Sequence, residues 1–175
     1  MIIFTDGSFS TKPDIAGLGA VILINDKEHR FGTYDNRCRD NNVAEIAAIS
    51  MALQYVKHHK IDTRDDVKTI TIISDSQCAL NRISNRCKGN DEFESACLEQ
   101  IFDFLDTSKK RVTFMQIKGH VHDGTKLAYY NNEADMLAGE YRQIGLELHY
   151  SNVGKKNKKA KKFWKNHGGN GGYGM

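Results

Sequence analysis

The stretch Ile70-Thr71-Ile72-Ile73-Ser74-Asp75-Ser76-Gln77 decides how the chain folds. A run of β-branched residues bounded by turn formers reads as a buried strand, and this one ends in an acidic residue between serines. The N-terminus repeats the arrangement, with Ile2-Ile3-Phe4 leading into Thr5-Asp6-Gly7-Ser8. An Asp at the end of such a strand is held by stiff backbone beside a low-dielectric core. Two of them on adjacent parallel strands stand side by side, where like charges push each other toward protonation. A divalent cation between them removes that cost, so the pair is read as a metal site.

Working outward, residues 1–9 form a first strand. A turn at Thr11-Lys12-Pro13-Asp14 holds the only proline, and strands at 19–24 and 29–34 are joined by a hairpin turn at Asn25-Asp26-Lys27. Over residues 42–59, Val43, Ile46, Ala47, Ile49, Ala52, Leu53 and Val56 recur at helical spacing. Asn41 or Asn42 is the expected cap, which places Glu45 in the first turn, where the helix dipole favours a carboxylate. A fourth strand at 67–74, a short helix from about Ser76, a helix over 92–105, a fifth strand at 112–117 and a last helix over 132–143 complete the series. The order predicts an α/β domain with a five-stranded mixed sheet, three antiparallel strands then two parallel, flanked by helices. A right-handed crossover puts the first and fourth strands together, with ligands bound beyond the carboxyl ends of the strands.

At 175 residues, 39% apolar and 27% charged, the chain suits one domain. No apolar run approaches the ~18 residues of a membrane span, and Met1 leads directly into a strand without a basic, cleavable leader. Cys38, Cys78, Cys87 and Cys97 lack CxxC or Cys/His spacing, so reduced thiols and a cytoplasmic location are expected. The net charge of +3 conceals an asymmetry: residues 151–175 hold seven lysines and no acid, and residues 1–150 carry 18 basic against 22 acidic side chains. We therefore divide the chain into a domain over 1–150 and a basic Lys/Gly-rich tail over 151–175, weakly ordered in isolation from about residue 153. An acidic body with a basic tail points to a polyanionic partner.

Two further carboxylates have settings like those of Asp6 and Asp75. Glu45 follows Asn41-Asn42, and Asp135 lies in Asn131-Asn132-Glu133-Ala134-Asp135, after the loop Lys118-Gly119-His120-Val121-His122. In order the motifs are TDGS, NNxxE, SDSQ, KGH and NxxxDxLA. Each alone has a bland reading as a turn former, a helix-start carboxylate or a solvated helix charge. Together, over residues 1–143, they resemble the ribonuclease HI family.

That resemblance implies a ribonuclease H-like fold and a metal-dependent endonuclease that cuts the RNA strand of RNA–DNA hybrids, leaving 5′-phosphate and 3′-hydroxyl ends. It implies two Mg²⁺ ions, with Mn²⁺ as an alternative, on Asp6, Glu45, Asp75 and Asp135. Such hard oxygen donors suit these ions. Asp6 would bridge the ions, Asp135 would hold the water-activating one, and Glu45 and Asp75 the one on the leaving-group side. His120 matches the histidine of the family's KGH motif, with a role in proton transfer or product release; His122 fits the motif less well. Gly7, Ser8, Asn41, Asn42, Gln77, Lys118 and Asn131 fall at hybrid-contacting positions, with capping and turn chemistry the alternative for the asparagines.

Two departures stand out. Asp40 replaces the threonine usual before the paired asparagines, where an acid repels phosphate. The segment Ser84-Asn85-Arg86-Cys87-Lys88-Gly89-Asn90 is shorter than the basic, Trp-containing handle of many relatives. The tail, through Lys158, Lys162 and Trp164, is one reading of the substitute, with a solubilising or disordered tail as the alternative. A monomer without membrane attachment is expected. A DNA-cleaving nuclease on the same fold, a non-catalytic hybrid-binding module and a domain cut from a reverse transcriptase are the rival readings.

Overall fold

Three strands open the chain as an antiparallel meander: β1 (Ile2–Thr11), β2 (Asp14–Ile24) and β3 (Lys27–Asp35). In this computed structural model residues 1–25, 27–119 and 123–167 are described, with side chains of the last helix described through Val153 and at Lys155. β1 pairs with β2 from Ile2↔Leu23 to Thr11↔Asp14, well past the apolar run that marked it in the sequence. Backbone pairing continues through polar Ser8 and Ser10 because the ladder needs amides, not apolar side chains. β4 (Thr69–Ser74) lies parallel to β1 from Ile2↔Thr71 to Phe4↔Ile73, and β5 (Arg111–Gln116) lies parallel to β4. The strand order β3-β2-β1-β4-β5 is the predicted mixed sheet.

Helices α1 (Asn41–His58), α2 (Gln77–Ser84), α3 (Glu92–Thr107) and α4 (Lys126–His167) flank it, with a short 3-10 turn at Ile61–Thr63 that the sequence did not signal. Ile46, Ile49 and Leu53 of α1 bury against Ile3, Ile22, Ile70 and Ile72 on one side of the sheet. On the other side Phe4, Val21 and Ile73 meet Ala134 of α4. α4 comes close because β2 presents glycine there: a Cβ on Gly19 would stand 2.2 Å from the Ala134 carbonyl oxygen, and one on Gly17 1.9 Å from that of Ala138. Among the described residues no helix is long and apolar enough to cross a membrane.

Two expectations about α1 are corrected. Asp40, not Asn41 or Asn42, is the cap: its backbone is extended and its carboxylate accepts a 2.9 Å hydrogen bond from Val43 N–H. Asp caps as well as Asn does and stands one residue earlier, so Asn41 is the first helical residue. Glu45 consequently lies in the second turn, beyond the reach of the dipole argument. The last helix also differs. The segment expected at 132–143 is the middle of a 42-residue element that starts at Lys126 and runs on through the lysine-rich stretch. Lys and Ala are strong helix formers and no proline interrupts them, so propensity sustains a helix that an apolar pattern alone did not reveal.

The α2–α3 corner is held by an ion pair between a buried glutamate and a partly exposed arginine. Glu94 is 1% exposed, and its carboxylate lies 2.8 Å from Arg82 Nε and accepts a 2.7 Å bond from Asn90 N–H. Arg82 Nη2 donates to the Lys88 carbonyl at 2.7 Å, and Asp91 caps α3 by accepting from Glu94 N–H at 2.8 Å. Removing Glu94 leaves the Asn90 N–H without its acceptor and Arg82, 21% exposed, with the Lys88 carbonyl but no counter-charge. Glu94→Ala is therefore expected to cost about 1–3 kcal/mol in urea denaturation, whereas Glu99→Ala on the exposed side of α3 should move stability by less than ~0.5 kcal/mol. Equal effects from the two would contradict this account of the corner.

Candidate active site

Asp75 follows the last residue of β4, as expected. Asp6 does not end its strand: it sits in the middle of β1, opposite Gly19 of β2. What ends beside it is β4, whose pairing with β1 stops at Phe4↔Ile73, so both carboxylates stand just beyond the carboxyl edge of β4. The Asp6–Gly19 pair lies on the face that α4 covers. The glycine that admits the helix at Ala134 thus also sets the next residue, Asp135, over Asp6.

Glu45 arrives from the opposite side. A Cβ on Gly7 would come within 2.4–2.6 Å of the α1 backbone at Ala44 and Glu45, so a side chain at this position would displace the helix. The Gly7 N–H is bonded to the Glu45 carboxylate. Gly7 is thus a positioning residue whose amide is already engaged. One oxygen each from Asp6, Glu45 and Asp75 lie within 4.8 Å of one another, and Asp135 lines the same cavity of about 470 Å³. Ser8 and Asn41 line it as well, together with Ser76, which sequence reasoning passed over and whose hydroxyl caps α2 by accepting from Ala79 N–H at 3.2 Å.

Electrostatics set this cluster apart. Asp6 and Glu45 are 6% and 5% exposed. Burial, then the neighbouring Asp75 and Asp135, push Asp6 up to about 8. Burial, then Asp6 and Asp75, push Glu45 up to about 9 despite the Gly7 amide. Glu45 Oε2 is buried without a hydrogen-bond partner, and no described lining residue is basic. Buried oxygens in mutual repulsion, one of them lacking a donor, are what a hard divalent cation would satisfy. The residues present fit such an ion.

Two elements outside the cluster hold it in place. Gly119 lies against Asp75: a Cβ there would stand 2.1 Å from Asp75 Oδ2. Its place between Lys118 and His120 was the available signal for this role. The start of α4 is tied to β3, where Tyr130 donates to Glu28 at 2.5 Å, Arg30 donates to the Tyr129 hydroxyl at 3.2 Å, and Arg30 pairs with Glu133, two residues before Asp135.

The remaining candidates separate. Asn131, one turn before Asp135, is buried with its Oδ1 unpartnered. Asn42 and Lys118 are exposed and stand apart from the cavity lining. Gln77 begins α2 and donates to Asn81 Oδ1 at 2.7 Å, a bond within its own helix. His120 and His122 lie outside the described residues, as do the side chains of Lys158, Lys162 and Trp164, whose backbone belongs to α4.

Comparison with known proteins agrees with this geometry. The RNase H family profile matches residues 1–143. Ribonuclease H of Rickettsia typhi is 27% identical over 158 residues, covering 85% of this chain and 94% of that protein. Ribonuclease HI of Rickettsia prowazekii matches to the same extent, at 27% identity. Among solved structures, LC11-RNase H1 from a compost metagenome, in complex with an RNA/DNA hybrid, superposes with a TM-score of 0.64 at 23% identity, over 83% of this chain and 98% of that one. Profile, relatives and fold agree with the carboxylate cluster, and the chain belongs to the RNase H family, in its HI branch.

Proposed function

We propose that this protein hydrolyses the RNA strand of RNA–DNA hybrids, with two divalent ions, Mg²⁺ or alternatively Mn²⁺, held by Asp6, Glu45, Asp75 and Asp135. The observation that carries the reading is the meeting of Asp6, Glu45 and Asp75 oxygens within 4.8 Å, from three separate elements. Bound divalent ions supply Lewis-acid stabilisation of the phosphate and of the departing sugar oxygen, and they make water a better nucleophile. The protein's own contribution is position. Rigid backbone presents the carboxylates before substrate arrives, and their burial keeps them from solvation that would compete with ligation. Water adds to phosphorus as the bond to the 3′ oxygen breaks, which gives 5′-phosphate and 3′-hydroxyl ends.

Ser8, on the cavity wall, meets the sugar edge of the RNA strand in this reading, where the 2′-hydroxyl distinguishes RNA from DNA, and Asn41, on the same wall, meets the DNA side. In this reading Asn42, Gln77, Lys118 and Asn131 are supporting contacts, and His120 assists proton transfer or product release. The basic segment, with Lys158, Lys162 and Trp164, adds affinity for the polyanion. A monomer in a reducing cytoplasm accords with free Cys38 and Cys97, whose thiols burial pushes up to about 12 and about 11. Side-by-side assays on hybrid, duplex DNA and duplex RNA separate this activity from DNA cleavage and from binding without cleavage. Preference for duplex DNA would overturn the substrate reading.

Asp6→Asn should lower hybrid cleavage by on the order of 10³-fold or more while circular dichroism stays native. Turnover with Mg²⁺ near the parent rate would reject the assignment. EDTA should abolish cleavage by the parent chain.

The buried carboxylates also predict how stability depends on pH. The folded pKa values of Asp6 and Glu45, about 8 and about 9, lie above their ordinary values of 3.8 and 4.5. The folded state therefore holds these protons more tightly than the unfolded chain, and metal-free stability falls as pH rises from about 4 toward about 9. In EDTA, Tm should drop by about 5 °C or more between pH 5 and pH 8.5. Millimolar Mg²⁺ should recover most of the loss, and Asp6→Asn should flatten the profile. A metal-free Tm that rises over this range would contradict the electrostatics.

A further inference from the structure

A hybrid substrate leaves an electrostatic gap, because residues 1–150 carry 18 basic against 22 acidic side chains. The arginines ahead of α1 do little to close it. Arg37 is held by Asp35 at 2.6 Å and lies 4.3 Å over the Phe93 ring, Arg39 faces Asp14 at 3.4 Å, and Asp40 is engaged as the α1 cap. The compensating charge is on α4.

α4 carries Asp135 near its start and continues without interruption to His167. It meets the β1–β2 turn where the Tyr150 hydroxyl donates to the Lys12 carbonyl at 3.3 Å, and residues 147–153 are all exposed. Beyond them come Lys155, Lys156, Lys158, Lys159, Lys161, Lys162 and Lys165, with no acid. At ~1.5 Å per residue, Lys155 stands roughly 30 Å and Lys165 roughly 45 Å along the axis from Asp135. Positions 146, 150, 153, 157, 160 and 164 (Leu, Tyr, Val, Asn, Ala, Trp) follow alternating steps of four and three, and so share one line of the helix within about 80°. The lysine positions occupy the remaining circumference.

We propose that the C-terminal half of α4 is a second, rigidly coupled contact for the hybrid, engaging phosphates roughly 30–45 Å from the scissile bond. The enzyme then favours hybrids long enough to reach both sites. This rests on the proposed hybrid-cleaving function. Charge selects the occupant: an arm-to-arm pair of chains would set lysine against lysine, and the 22 acidic against 18 basic side chains of residues 1–150 in a second copy are a far weaker counter-charge than the dense phosphates of a duplex. A bilayer would need a wider apolar face than a line interrupted by Asn157 and Ala160.

The test compares kcat/KM per cleavable site on hybrids of about 8 and about 30 base pairs over a salt series, with hybrid binding in EDTA as a parallel readout. The expected result is a preference for the longer hybrid of about 10-fold or more at low salt, with a log–log salt slope steeper by roughly 3. The quadruple variant Lys158→Gln, Lys159→Gln, Lys161→Gln and Lys162→Gln should lose most of both. Gly154→Pro keeps every charge but breaks the helix between body and arm, and should lose the length preference. Equal kcat/KM on the two lengths, or an unchanged slope in the quadruple variant, would overturn the proposal, and a preference retained by Gly154→Pro would overturn rigid coupling. So would a variant that releases anionic vesicles of phosphatidylglycerol and phosphatidylcholine yet binds long hybrid normally, which would assign the arm to membranes. If the full chain binds long hybrid through the arm in EDTA but never cleaves it, the hybrid-cleaving reading fails and the arm stands.

Discussion

Repulsion among carboxylates that the fold does not allow to separate is the constraint around which this molecule is built. Asp6 lies on the central strand, between β2 and β4, with α1 on one face of the sheet and α4 on the other, so relaxing its position would disturb several layers at once. An isolated buried carboxylate escapes such strain by taking up a proton or turning to water. Here the first response is visible in the raised proton affinities of Asp6 and Glu45, and the second is blocked by packing. The hydrophobic clusters on both faces of the sheet supply the rigidity that keeps like charges together, a local cost offset elsewhere in the fold.

The four acids reach the site by different means. Asp6 and Asp75 depend on strand register, which a one-residue slip would destroy by turning each side chain to the opposite face. Glu45 depends on how closely α1 approaches β1, and Gly7 sets that distance. Asp135 depends on the seat of α4, fixed at Gly17 and Gly19 by backbone contact and at its start by the Arg30 and Glu28 bonds. Those exposed ion pairs contribute little to global stability. Their value is orientational, since a small rotation of α4 about the glycine seat would swing Asp135 across the cavity.

Much of this was legible from the residues. The strand order, the crossover, Asp75 at its strand end and the apolar side of α1 all follow from runs and periodicities that burial enforces. Where the reading missed, the governing force was not burial. Asp6 lies within β1 rather than at a strand end because backbone pairing persists through the polar residues that follow it, as far as Thr11. Asp40 caps α1 because two or three adjacent residues were chemically competent and only backbone conformation chooses among them. α4 extends through the lysines because propensity, rather than an apolar stripe, sustains it. Gly7 and Gly119 escaped assignment to the site's framework because their importance lies in side chains they lack, which shows only when a neighbour approaches to within a bond length or two.

The separation of charge along the chain also has a physical reason. A lysine or arginine beside Asp6 and Glu45 would relieve their repulsion as an ion would, and would compete with divalent ions for the same oxygens. Binding of the proposed polyanionic substrate requires positive charge, while the cluster must be free of it. At ~0.15 M salt the Debye length is about 8 Å, so solvent-exposed charges roughly 30 Å away are screened from the carboxylates. The same charges still act at contact distance on any phosphate that reaches them. Carrying the lysines outward on the helix that bears Asp135 meets both requirements within one element. A basic body surrounding the cavity would have met only the first.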